Sequence, residues 1–221
     1  MKRTLWDLLR GKTLLQEAYE EALEMLIQVK TMYLEVNDSI FEEIKPGFDP
    51  YTIDKKVNKR EIEIREKILK HLVFGADKVD IAPCLSLSSI VIDIERIGDY
   101  CKNMFELIEL YPERLDEDHY IKRLKTLSEE ISHEFDVTYE AFKNADENQA
   151  EYVMKKHLEI NKELEGILKA IAKDESFKPR KAIIIALLSR YLKRVSAHLK
   201  NVASSIRNPY PMISFQPESK F

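Results

Sequence analysis

Glu95 and Asp99 stand at i and i+4 in "IVIDIERIGDYCKN", residues 90–103, with Arg96, Lys102 and Asn103 around them. On a helix this spacing puts both carboxylates on one face, where they repel each other mildly. Asp54, Asn58, Glu61 and Arg65 recur at i, i+4, i+7 and i+11, so they too form a single stripe. If the two helices pack side by side, two rows of oxygen donors face the same groove. Hard and borderline cations bind several carboxylate and amide oxygens, and adjacent helices supply them rigidly. A bound cation would also remove the Glu95–Asp99 repulsion. The same spacing suits a solvated face with local ion pairs, and pattern alone leaves both readings open.

Other chemistry finds little support. No E-x-x-H pair accompanies the carboxylates, as a ferritin-like di-iron oxidase centre would need. His71, His119, His133, His157 and His198 share no ligand spacing with one another. There is no glycine-rich phosphate loop, nucleophile elbow or catalytic His–carboxylate pattern.

The elements that must position these stripes are helical, because the hydrophobic spacing is helical nearly throughout. A first helix is expected over about 14–44, with Leu15, Ala22, Leu26, Val29, Tyr33, Val36 and Ile40 on one face. "KPGFDPYT" breaks the chain with two prolines and a glycine. A second helix follows from about residue 52, with Val57, Ile64, Ile68 and Leu72 inward. "FGADKVD" reads as a loop, and Pro83 suits the first turn of a third helix. That helix turns Ile90, Val91, Ile94, Ile97, Cys101 and Met104 inward, leaving Glu95, Arg96, Asp99, Lys102, Asn103 and Glu106 as its non-core stripe. Beyond "YPERLDEDHY" the plan repeats, with helices over about 120–143, 149–172 and 179–207. Asp146 or Asn144 in "NADENQ" can cap the fifth. No β alternation appears, so the fold class is all-α with six helices.

The halves align in order. Phe41 lies over Phe142, "VNK" at 57–59 over "INK" at 160–162, and "ERIGDYCKN" at 95–103 over "KRVSAHLKN" at 193–201. Three landmarks at offsets near 100 indicate two tandem three-helix bundles related by internal duplication. The expected divisions are 1–115, 116–207 and a tail, 208–221. The tail's X-Pro steps favour an extended chain. Its Tyr210, Met212, Ile213 and Phe215 either dock on a bundle or remain disordered.

Charge narrows the function classes. The 35 basic and 39 acidic residues give −4, which argues against a general nucleic-acid binder. Residues 1–115 hold 17 Lys/Arg and 22 Asp/Glu, while 116–221 hold 18 and 17, so the acidity sits in the first half. Cys84 and Cys101 are too few and too oddly placed for a disulfide framework or zinc site, and Cys101 reads as a buried thiol. The N-terminus is too broken by charge for a signal peptide, and "AIIIALL", 182–188, is far too short to cross a bilayer. A cytoplasmic protein without membrane insertion is expected.

"LSSIVIDIERIGDYCKNMFEL" closely resembles the metal-binding helix of the PhoU family of phosphate-uptake regulators, and "DKKVNKREIEIREKILKHL", 54–72, resembles the helix that precedes it in the repeat. The resemblance covers about 14–207. It implies a regulator, not an enzyme, that binds multinuclear metal clusters and restrains phosphate uptake or signalling through a transporter and a sensor kinase. Glu95 and Asp99 match the motif itself; Asp54, Asn58 and Glu61 match the partner row. The metal implied is a divalent or iron-type ion: Fe, Zn, Mn or Mg. The second repeat departs. Lys193 and Ala197 stand at the motif positions, His157 replaces Asp54, Asn161 retains Asn58, and Leu164 replaces Glu61. One cation site is therefore expected, not two. Arg190, Lys193 and Lys200 form a basic stripe there with Arg194 flanking it, suited to an acidic partner, an anion or the acidic half of a second copy in a homodimer, or simply to solvent. The leading reading is a metal-binding regulator acting by protein contact; the alternative is a helical interaction or scaffold module with a vestigial metal site.

Overall fold

Apolar residues at three- and four-residue intervals form six helices in the computed structural model, which describes residues 13–74, 81–112, 115 and 118–215. They are α1 (Leu14–Phe41), α2 (Pro50–Phe74), α3 (Ile81–Leu110), α4 (His119–Asn144), α5 (Glu147–Ile171) and α6 (Pro179–Arg207). No strand occurs among the described residues. Residues 75–80 of the expected loop, residues 113, 114, 116 and 117 of the connector, and residues 216–221 lie outside the described residues.

Local chemistry sets the helix ends. Thr13 Oγ1 accepts from Gln16 N at 3.2 Å and opens α1. The helix stops three residues short of the sequence expectation, where Glu43 adopts φ 58° and Ile44 N turns back to the Asp38 carbonyl. Asp49 accepts from Tyr51 N at 3.2 Å and Thr52 N at 3.1 Å, so α2 begins earlier than expected, with Pro50 in its first turn. Between α4 and α5, Ala145 is left-handed at φ 51° and Asp146, not Asn144, caps α5 through Asn148 N and Gln149 N.

Helices α1, α2 and α3 pack mutually, as do α4, α5 and α6. Across the halves α1 meets α4 and α3 meets α6, so equivalent helices contact each other, as in an isologous pairing. One hydrophobic cluster draws on all six helices, from Leu15 and Val57 to Leu164 and Val202. At the α1–α4 seam the Tyr33 hydroxyl donates to the Ser128 carbonyl at 3.1 Å and its ring packs against Phe135. At the α3–α6 seam Asp93 Oδ1 lies 2.7 Å from both His198 Nδ1 and Asn201 Nδ2. Arg194 Nε donates to the Tyr100 hydroxyl at 3.1 Å beside it.

Cys84 and Cys101 are buried free thiols, and burial pushes the Cys101 thiol far above its ordinary range. The tail docks through fewer residues than it offers. A 3-10 turn at Tyr210–Met212 leaves both of those side chains exposed, and Phe215 is exposed too. Ile213 alone of the four packs on the core, while Ser214 N donates to Ser204 Oγ at 2.8 Å.

Gly98 faces both neighbouring helices: a Cβ there would meet Val29 of α1 and Val57 of α2, each at 3.6 Å. That is ordinary contact for one methyl and leaves no room for more. Gly98→Ala is expected to fold with stability within about 1 kcal/mol of wild type, the added helix propensity offsetting the tighter contact. Gly98→Leu should lose about 3 kcal/mol or more by driving α3 off its neighbours. Chemical denaturation of the two variants checks this; equal stabilities would mean that the helices do not converge at Gly98.

Candidate metal centre

The groove between α2 and α3 gathers all five residues singled out by their spacing. Asp54 is only 6% exposed, and Asn58, Glu61, Glu95 and Asp99 are half-buried along the same groove. With its amide oriented to satisfy both neighbours, Asn58 Nδ2 donates to Glu95 Oε1 at 3.2 Å and to the Asp54 carbonyl at 3.2 Å. Burial first, then the charges of Asp99, Glu61 and Asp54, outweigh Arg96 and raise the Glu95 carboxyl to about 7. Glu95 thus senses the other three carboxylates.

Three cations share the groove. Lys102 Nζ lies 2.9 Å from Asp54 Oδ2 and 3.1 Å from Asp99 Oδ1, bridging α2 and α3. Arg96 holds Asp99 at 3.0 Å and lies 3.6 Å from Glu95; Arg65 holds Glu61 at 2.9 Å. Among the described residues no three His, Cys, Asp or Glu side chains converge in a metal-ligating arrangement. The donor chemistry nevertheless fits a hard cation. Asp54 Oδ1 is buried with no hydrogen-bond partner among the described residues, and every candidate donor is an oxygen. The sequence stripe already contained Lys102, but its reach to Asp54, 48 residues away, depends on how α2 and α3 pack.

Six helices in two packed triplets, the first keeping an acidic groove, define a tandem three-helix-bundle protein. The PhoU domain model matches residues 15–108 and 124–206, and the chain belongs to that family. It is 22% identical over 209 residues to the phosphate-specific transport system accessory protein PhoU homolog of Synechocystis sp., covering 93% of this chain and 87% of that one. The fold also matches the crystal structure of PhoU from Pseudomonas aeruginosa, with a TM-score of 0.75, 20% identity and coverage of 87% and 95% of the two chains.

The corresponding groove in the second bundle has different chemistry. The basic stripe expected on α6 is largely engaged within the molecule. Lys193 binds Glu165 at 2.7 Å, Arg194 binds Tyr100, and Lys200 is nearly buried, donating to the Ser214 carbonyl at 2.7 Å. Arg190 stays exposed. His157, in the place of Asp54, lies with Nδ1 2.9 Å from Ser196 Oγ, and burial plus Lys200 and Lys193 push it down to about 4, so it is neutral.

Sequence reasoning missed Glu134 of α4, which is fully buried near Ser196. Its signal was available, because it continues the apolar series Leu124, Leu127 and Ile131 at helical spacing. Neither carboxyl oxygen makes a well-formed hydrogen bond, although the Ser196 hydroxyl and the Lys156 charge favour ionisation slightly. Burial dominates and raises Glu134 to about 8, so it carries a proton at neutral pH.

An acid whose folded value lies above its unfolded one holds its proton longer in the native state, so its stabilising share is lost as pH rises. Between pH 5 and 8 Glu134 should therefore subtract increasingly from stability, on the order of 4 kcal/mol in all. Glu134→Gln should remove that slope, its advantage over wild type growing towards pH 8. Urea denaturation at several pH values measures it; parallel curves for the two proteins would show that Glu134 does not titrate in this range.

Proposed function

We propose that this protein is a cation-binding accessory regulator of phosphate uptake that acts through contacts with other proteins. Supporting the reading is one combination: a family match over both halves with a single acidic groove between α2 and α3. In this reading Asp54, Glu61, Glu95 and Asp99 supply carboxylate oxygens and Asn58 its amide oxygen. The bound cation would supply the charge that lets the carboxylates share one groove. An all-oxygen donor set favours Mg, Mn or Fe over Zn, which takes imidazole and thiolate readily. The proposed partners are phosphate-transporter components or a sensor kinase. No helix among the described residues is long and apolar enough to cross a membrane.

A second reading, a helical interaction module whose metal site has lapsed, draws on Lys102 lying between Asp54 and Asp99. One experiment separates the two. The protein is purified with and without the paired change Glu95→Ala, Asp99→Ala, its metal content is determined, and phosphate uptake is followed at high external phosphate in cells carrying each form. The regulator reading expects the paired change to lower bound metal and release uptake from restraint. Metal-free wild type that still restrains uptake favours the lapsed-site module. Unchanged metal content removes Glu95 and Asp99 from the site, and unrestrained uptake with the wild type overturns the regulatory role.

A further inference from the structure

Lys102 is placed as an internal cation for the acidic groove. Its ammonium lies between Asp54 of α2 and Asp99 of α3, within 3.1 Å of both. Arg96 and Arg65 pair at the groove's margin, each about half exposed, whereas the Lys102 side chain is only 21% exposed. Its ammonium donates to Asp54 Oδ2 at 2.9 Å and to Asp99 Oδ1 at 3.1 Å. A cation bridging Asp54 and Asp99 would need the same space and the same oxygens, so ammonium and metal exclude each other.

Once expelled, the ammonium has somewhere to go. Glu106 lies four residues further along α3, the spacing at which lysine and glutamate meet on a helix. Its Oε1 accepts from the Tyr51 hydroxyl at 3.2 Å, and Tyr51 already feels the charges of both Glu106 and Lys102. The second repeat shows a lysine of this register bound elsewhere. Lys200, the equivalent at offset 98, has lost the motif carboxylates and donates instead to the Ser214 carbonyl at 2.7 Å.

We propose that Lys102 is a tethered competitor for the cation site: it fills the groove between Asp54 and Asp99 when metal is scarce and swings towards Glu106 when metal binds. The site is thereby tuned to respond to metal concentration, because Lys102 already offsets part of the groove's negative charge and each ion must displace it. This inference rests on the metal-binding reading above, and the test separates the two.

Mn²⁺ is titrated into wild type, Lys102→Met and Lys102→Arg, and free Mn²⁺ is followed by its solution EPR signal. Lys102→Met should bind Mn²⁺ about tenfold or more tightly than wild type, with a unit positive charge removed from within a few ångströms of the ion. Lys102→Arg should stay near wild type. Equal affinity in wild type and Lys102→Met overturns the competitor role and leaves the metal reading standing; no binding by either overturns both. Binding by Lys102→Met alone would mean that the lysine excludes the metal outright, the strongest form of the proposal. Should Lys102→Met fold poorly, the wild type decides. Adding Mn²⁺ should raise the rate of reductive methylation at Lys102, read by mass spectrometry, and an unchanged or slower rate sinks the idea.

Discussion

Helix α3 is held on three sides, by α1, α2 and α6, and this constraint shapes the rest of the molecule. A helix so enclosed is apolar over most of its circumference, and its polar residues survive only where a neighbour can satisfy them. Asp93 and Tyr100, seven residues apart, share the face that meets α6. Glu95, Asp99 and Lys102 share the face that meets α2. Ile94, Gly98 and Cys101 fill the interior between them. The acidic groove and the inter-bundle seam are therefore two faces of one rod, flanking its interior stripe.

The seam's chemistry follows from the same enclosure. An aspartate at this depth needs donors, and His198 and Asn201 both reach Asp93 from α6. Arg194 reaches Tyr100 and places its guanidinium carbon over the ring, 5.5 Å from the centroid. These contacts fix the rotation of α6 against α3, because their directions allow one register, whereas apolar packing alone tolerates several. With one apolar cluster spanning all six helices, the two triplets share a core and are expected to unfold together.

The helices and the duplication were legible because they rest on local periodicity, which the sequence carries directly. Helix ends were legible where a proline or an aspartate announced them, as at Pro179 and Asp146. The end of α1 was not, because it depends on the left-handed turn at Glu43. At the site, the five donors could be named from i, i+4 spacing within each helix. What eluded that reasoning was pairing beyond a single helix: Lys102 with Asp54, Lys193 with Glu165, and Lys200 with Ser214 of the tail. Charges that look free along one helix are spent against another, which is why an expected basic stripe became internal pairing. Glu134 failed for the opposite reason, since a lone carboxyl within an apolar series reads as an exception until its complete burial is seen.

Counting charges in the acidic groove explains why Glu95 is the residue left in tension. Asp54, Glu61, Glu95 and Asp99 face three cations, Arg65, Arg96 and Lys102. Glu61 has Arg65 at 2.9 Å, Asp99 has Arg96 and Lys102, and Asp54 has Lys102. Among the described residues Glu95 has only Arg96 at 3.6 Å, already committed to Asp99, and the Asn58 amide. A carboxylate partly removed from water and short of a full counter-charge lowers its free energy by holding a proton, and that is the direction in which Glu95 is displaced. The second bundle resolves the same problem by deletion: Lys193, His157, Leu164 and Ala197 stand in place of all four carboxylates. The two grooves are thus one scaffold with opposite electrostatic solutions, and only the first retains an unmet demand for positive charge.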